Sequence, residues 1–322
     1  EYEHPQTSMK AVTGLSYKYD HKGIWNSSAF VKNYINHLEA YLDPEGGSNY
    51  QDFRNTKAHW GGGLASTYFW GQHTQLRLSY EYALRLPTSR ELFGTGDDIE
   101  RGNSSLKPES SNNINFSVTA SPLDIAQHKL TVDAAFQYRE IKDYIRRTTN
   151  SDNGRATSKN DGGVRNLGGD FGIRYTFKDL FFIGGNFSYI DMRSMTKYVA
   201  GTQRISRNYK ERIPAIPYMY GNGEAGFTLH NLFIKGSILN IHYMMSYIHS
   251  FSYEWNTYNN SDLIIPTQFS HDIFINYNFG KRQEFTVAAE CTNLTDARLY
   301  DNFKMQKPRR AFAIKLGYNF SK

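Results

Sequence analysis

Asp97 and Asp98 stand beside Glu100 in the stretch GTGDDIERGNSS (94–105). Carboxylates this close can attract a cation, but they lack the spacing of an EF-hand loop, and a lone acidic loop is ordinarily solvated. Other reactive side chains are scattered. The 10 histidines form no H-E-x-x-H motif, and there is no G-x-S-x-G elbow or phosphate-cradling glycine loop. The single cysteine, Cys291, rules out an internal disulfide framework and any multi-cysteine metal centre. It follows Phe285, Val287 and Ala289 at alternate positions and reads as a small apolar wall residue. His242 and Asp133 fall on the polar sides of alternating segments, which accounts for both without catalysis. No catalytic residue, resident metal or cofactor is expected, and the function reads as non-enzymatic.

Side chains suited to binding are better represented. Polar stretches at 43–55, 94–105, 150–163 and 254–262 mix Gly, Asn and Asp with aromatics. Such loops suit hydrogen bonding and stacking against a polar ligand, and equally suit plain solvation. Tyr50, Phe53, Trp255 and Tyr258 are the aromatic candidates, and Asp97 and Asp98 the acidic ones. In RLPTSRELFG (85–94), alternation with Leu84 puts Arg85 on the polar face. There it can meet a ligand or pair with a carboxylate such as Glu81. Arg90, beside Glu91, is the other cationic candidate, with fixing the loop as its plainer role. The net charge of +6 is modest for 322 residues and its basic residues are dispersed, so no nucleic-acid partner is expected.

The elements that must carry these residues are strands. Phe312, Ile314, Leu316, Tyr318 and Phe320 alternate with Ala313, Lys315, Gly317 and Asn319, which gives one oily and one wet face. The same period recurs at 76–84, 130–138, 171–177, 239–247 and 273–279, and turn signals bring the count to about 13 strands. Aromatics make up 15% of the chain, with Tyr 24 and Phe 21. Tyrosine suits a boundary where the ring is buried and the hydroxyl stays wet. No run of about 18 apolar residues exists, so no membrane-spanning helix is expected. A barrel wall averages to a hydrophilic mean because its lumen face is polar.

The connections are of two kinds that take turns. DHKG (20–23), WGQH (70–73), FKDL (177–180) and FGKR (279–282) are tight, whereas 39–56, 86–110, 149–161, 197–212 and 254–266 are long and polar. Short turns on one rim and long loops on the other describe an outer-membrane barrel. The stretch 127–147 reads as one strand projecting beyond the bilayer on the long-loop side. By the alternation of turns, the first strand (about 7–19) and the last both descend towards the short-turn rim. Single-chain barrels have even strand numbers, so residues 1–322 are expected to be the C-terminal part of one barrel.

Two stretches carry a family resemblance. YEYALRLPTSRELFGTGDDIERGNSSLKPESSNNINFSV (80–118) resembles the late-barrel signature of TonB-dependent outer-membrane receptors. It has a strand ending in Arg-Leu-Pro, then ELFG, then a loop closing on N-x-x-L-K-P-E-x-S. CTNLTDARLYDNFKMQKPRRAFAIKLGYNF (291–320) resembles that family's closing hairpin, with an NLTD corner, YDNF, a Pro-Arg pair and a final aromatic strand. The resemblance implies a transmembrane antiparallel β-barrel of about 22 strands, of which this chain supplies about the last 13. It implies a plug domain and early strands outside this sequence, and TonB as the partner that energises import through the plug. Outer-membrane lipid, the barrel-assembly machinery and a surface lipoprotein are the further partners considered. The expected function is import of a scarce nutrient: a siderophore, haem, vitamin, peptide or glycan. A passive porin-like channel or a structural barrel is the alternative.

Overall fold

The computed structural model describes residues 6–42, 51–95, 100–149, 156–199, 201–255 and 259–320, with backbone alone at Leu42, Gln51, Phe53 and Thr149. Its main strands are β1 (Thr7–His21), β2 (Trp25–Leu42), β3 (Gln51–Trp70), β4 (Thr74–Arg85), β5 (Glu109–Ile125), β6 (His128–Lys142) and β7 (Val164–Phe177). There follow β8 (Phe181–Ser194), β9 (Met219–His230), β10 (Ile238–Ile248), β11 (Gln268–Phe279), β12 (Phe285–Thr292) and β13 (Ala311–Tyr318). They form one 13-stranded sheet in chain order, each strand antiparallel to the next. The all-β, antiparallel architecture expected from the period-two pattern is the one the chain adopts.

The tight turns sit where the punctuation puts them. Between β1 and β2, a three-residue connection, Lys22 (φ 55°) and Gly23 (φ 69°) both take left-handed conformations and the Ile24 N–H closes the turn on the His21 carbonyl at 3.0 Å. A bulge interrupts β5 between Ala120 and Leu123, at the position of Pro122, which has no N–H for the ladder. Two expectations need correction. The stretch 127–147 is not one strand: β6 stops at Lys142, and Asp143 (φ 54°) turns the chain away from the sheet. Residues Ile145–Thr149 then pair with Ala156–Asn160 in a small separate ribbon, joined by Glu100–Arg101. The connection drawn over 39–56 is shorter, because β2 and β3 pair as far as Leu42 and Gln51. There Arg54 bonds Glu39 across the strands at 2.7 Å.

Register sorts the side chains. Phe312, Ile314, Leu316 and Tyr318 of β13 face Cys291, Ala289, Val287 and Phe285 of β12, which in turn face Ile273, Ile275, Tyr277 and Phe279 of β11. Phe312, Ile314 and Leu316 are 73%, 77% and 76% exposed, so this face has no protein layer over it. The opposite face is polar. Lys32 pairs with Glu81 at 3.6 Å, Thr119 donates to Asp133 at 2.8 Å, and Ser188 donates to Asp170 at 2.6 Å. Farther round, Arg174 lies over the Phe182 ring and pairs with Glu224, which also bonds His242 at 3.2 Å. An oily face left bare and a wet face laced with hydrogen bonds invert the arrangement of a soluble sheet.

At the short-turn end the oily face carries a row of rings. Phe177, Phe181 and Phe227 follow one another at 5.9 Å, and Phe279, Phe285 and Tyr318 at 5.3 and 4.9 Å. The buried apolar residues collect instead at the long-loop end. One cluster joins Leu38, Leu92, Leu106 and Ile145; a second joins Ile141, Val164 and Ile213, with Trp255 packed against it. Among the described residues no helix is long and apolar enough to cross a membrane, which says nothing of strands.

Candidate functional site

The long-loop end of the polar face holds two constructions of different character. The first is a closed knot after β4. Pro87 ends the strand, and Thr88 caps a single helical turn, α1 (Ser89–Phe93). Thr88 Oγ1 accepts from the Glu91 N–H (3.2 Å) and Glu91 Oε2 accepts from the Thr88 N–H (2.7 Å), a reciprocal capping box. Leu92, 1% exposed, drives the turn into the first apolar cluster. At Gly94 (φ 79°) a Cβ would strike the Glu100 carbonyl, so glycine is the residue that fits.

Charges tie the knot. Arg85 donates from Nη2 to Glu109 Oε1 (2.9 Å) and from Nη1 to Glu91 (3.1 Å). Glu109 is 4% exposed and also accepts from the Ile145 N–H at 2.6 Å. Pairing of Arg85 with a carboxylate was expected, but Glu81 is not the partner. Glu81 lies four residues down the same strand and bonds Lys32, whereas the β4–β5 register sets Glu109 directly opposite Arg85. Lys10 of β1 donates to the Pro87 carbonyl. Arg90 donates to Glu100 at 2.7 Å, and Arg147 approaches the same carboxylate at 3.6 Å. The last member of the acidic run is thus buried and neutralised. Asn160 completes the knot by clasping Lys107, accepting from its N–H (2.9 Å) and donating to its carbonyl (3.0 Å).

The second construction is open. A cavity of 510 Å³ lies on the inner wall of β8–β11, beneath the connection 195–218 and the closing loop 293–310. Ile190, Tyr220, Asn222, Ser246, Ile248 and Gln268 all point from the polar face of their strands into it. Ser246 donates to Asn222 Oδ1 (2.8 Å), and Asn222 donates to Asn186 Oδ1 (3.2 Å), so the floor is a cross-strand polar ladder. Gln268 is 5% exposed; its Oε1 accepts from the Tyr300 N–H at 2.5 Å, and its Nε2 has no hydrogen-bond partner. The closing loop adds Leu299 and Lys307. Its corner is held by Asn293, which both donates to and accepts from Ala297, and by Arg309 on Asp296 at 2.8 Å. The Arg310 backbone N–H, then the Arg309 guanidinium, hold the Asp296 carboxyl below the usual carboxylate range.

The sequence candidates fall unevenly on these features. Arg85 and Arg90 belong to the knot. Trp255 lines a neighbouring cavity of 280 Å³ that shares Ile216 with the larger one, and Arg146 lies 5.6 Å over its ring. The Trp255 indole Nε1 is buried without a partner. Phe53 lies in β3 opposite Ala40. Tyr50, Asp97, Asp98 and Tyr258 lie outside the described residues. Gln268, Tyr220 and Lys307 escaped sequence reasoning. Carrying the alternation of Asp272 upward past Ser270 would have put Gln268 on the polar face, just after the Pro266 that opens the strand.

A bare oily face, a polar inner face and long loops at one end define the wall of a membrane β-barrel with a cavity at its loop-side mouth. Residues 4–294 match the family model "TonB dependent receptor-like, beta-barrel", and the chain belongs to the TonB-dependent receptors of the outer membrane. Solved structures agree on the fold. A copper transporter, OprC, superposes with a TM-score of 0.76 at 12% identity, over 98% of this chain and 48% of that one. The FrpB iron transporter from Neisseria meningitidis gives 0.71 at 13% identity, over 99% and 47%. The Serratia marcescens hemophore receptor HasR, solved with its hemophore and heme, gives 0.65 at 14% identity, over 97% and 51%. The chain spans about half the length of these structures. No curated relative matches it in sequence.

Proposed function

We propose that this chain is the C-terminal portion of a receptor that imports a scarce nutrient across the outer membrane. The observation that carries this reading is the cavity at the loop-side mouth of the polar face, on a wall matched by the receptor family along most of its length. Loops outside catch the ligand, the mouth holds it, and the polar face walls the path inward. Energy enters through TonB, which engages a plug formed by sequence outside residues 1–322. Among the described residues, β1 and β13 are the two ends of the sheet order and have no partner on their outer side. Unpaired backbone in lipid is costly, so earlier strands of the same protein close the wall, giving about 22 in all. Insertion falls to the barrel-assembly machinery, and a surface lipoprotein is a possible lid. The names of the similar structures span copper, iron and heme, and they set the range of cargo to test first.

The full-length receptor in planar bilayers should be nearly silent, and uptake by cells should vanish when TonB is deleted. Steady ion conductance with TonB-independent uptake would overturn import in favour of a passive channel.

A further inference from the structure

Of the short turns among the described residues, only the one between β9 and β10 carries three consecutive apolar side chains, Leu232, Phe233 and Ile234. Phe233 is 91% exposed, the highest value of the large apolar side chains described. The backbone that displays it is not loose. The Ile234 N–H closes on the Leu232 carbonyl at 2.8 Å, a three-residue γ-turn with Phe233 at its centre in the left-handed region (φ 63°). That form of γ-turn is rare and strained, and an aromatic residue there is an outlier. Ser237 Oγ donates to the same carbonyl (2.8 Å), and the Gly236 N–H donates to Asn231 Oδ1 (2.8 Å). Strain that the surroundings hold in place points to a role for the side chain so held.

Two further bonds show where the turn lies. The Tyr277 hydroxyl donates to the Leu232 carbonyl at 2.6 Å. Tyr277 belongs to the oily face, beside Leu239 and Val287, and stacks on Phe279 at 5.4 Å. The turn is therefore folded against the outer side of the wall, next to the row of rings, and not across the lumen. Gln283 of the following short turn donates to the Gly236 carbonyl at 3.4 Å. That contact gathers three exposed cations, Lys235, Lys281 and Arg282, on one stretch of the rim. An apolar tip continuous with a lipid-facing row and flanked by cations matches the boundary between acyl chains and anionic headgroups.

We infer that the turn 231–237 is a membrane anchor: Phe233 and Ile234 enter the acyl boundary of the periplasmic leaflet, and Lys235 meets lipid phosphate beside them. The anchor pins the late wall to the leaflet from outside its strands, and this role is independent of import.

4-Trifluoromethylphenylalanine in place of Phe233 tests this by fluorine NMR. The sample is the full-length receptor in nanodiscs of phosphatidylethanolamine and phosphatidylglycerol. The control is the same probe in place of Gln72, exposed on a polar turn of the same rim. A phospholipid carrying a doxyl radical high on its acyl chain should broaden the resonance at Phe233 about fivefold more than that at Gln72. A water-soluble gadolinium chelate should do the reverse. The probe in place of Ile234, whose backbone is not left-handed, should behave like that at Phe233, and it decides the matter if the first variant misfolds. Equal broadening at Phe233 and Gln72 by the gadolinium chelate would put the ring in water. Broadening by neither agent would mean that a protein covers it. Either result overturns the anchor, and whether uptake needs TonB alters neither.

Discussion

The knot after β4 and the cavity under loops 195–218 and 293–310 both sit at the long-loop end of the polar face, yet they treat polar groups in opposite ways. In the knot, Glu109, Glu100 and Asn160 are each bonded to two or more partners. In the cavity, Gln268 keeps a buried amino group unmatched and Lys307 has no counter-ion among the described residues. The difference separates a region whose polar groups are matched from one whose polar groups are partly unmatched. It also explains why arginine, a common ligand-binding residue, serves here as a fastener.

Substitutions should keep these two regions apart. Glu109→Ala takes the acceptor from Arg85 and from the buried Ile145 N–H together, and should cost about 3–5 kcal/mol. Urea unfolding in liposomes would measure it; a loss below about 1 kcal/mol would mean that the knot is decoration. Leu316→Arg, on the oily face far from both regions, calibrates the scale at ~2–4 kcal/mol near the bilayer mid-plane, with Lys315→Gln far milder. Equal tolerance of the two in the same assay would reverse the faces. Thr88→Ala removes the cap of α1 and should cost about 1 kcal/mol, without changing ligand affinity.

The smallest effect separates the loops by pH. The Asp296 carboxyl is depressed in the folded state, so its contribution is present above the unfolded value near 3.8 and is lost as pH falls through the folded value. Hydrogen-exchange protection of the closing loop 293–310, taken against the intrinsic rate at each pH, should therefore fall at acid pH, and Asp296→Asn should abolish that step. If the knot loosens in parallel, the corner does not act on the cavity side alone.

Much of the fold was legible because its determinants are local. A period of two names a strand and its faces at once, and Lys22-Gly23 marks a hairpin without any tertiary information. The residues that fasten or line the rim were harder to read. Arg85 and Glu109 are 24 positions apart, and only the register of β4 on β5 makes them neighbours. The small ribbon was hidden because 127–147 alternates convincingly, and the break depends on one left-handed residue, Asp143. The cavity draws on four strands and two loops. Its floor could be placed from alternation, but the lids Ile216 and Leu299 come from irregular segments with no period to follow.

The strands differ in length above a common base. The rings at the short-turn end set one level, but β2 and β3 run 18 and 20 residues while β12 and β13 run 8 each. At a rise of about 3.3 Å per residue and a tilt near 45°, ten residues amount to about 23 Å of height. The mouth is therefore sloped, with a parapet along the first strands and a step beside the last. The closing loop roofs the cavity on the side of that step.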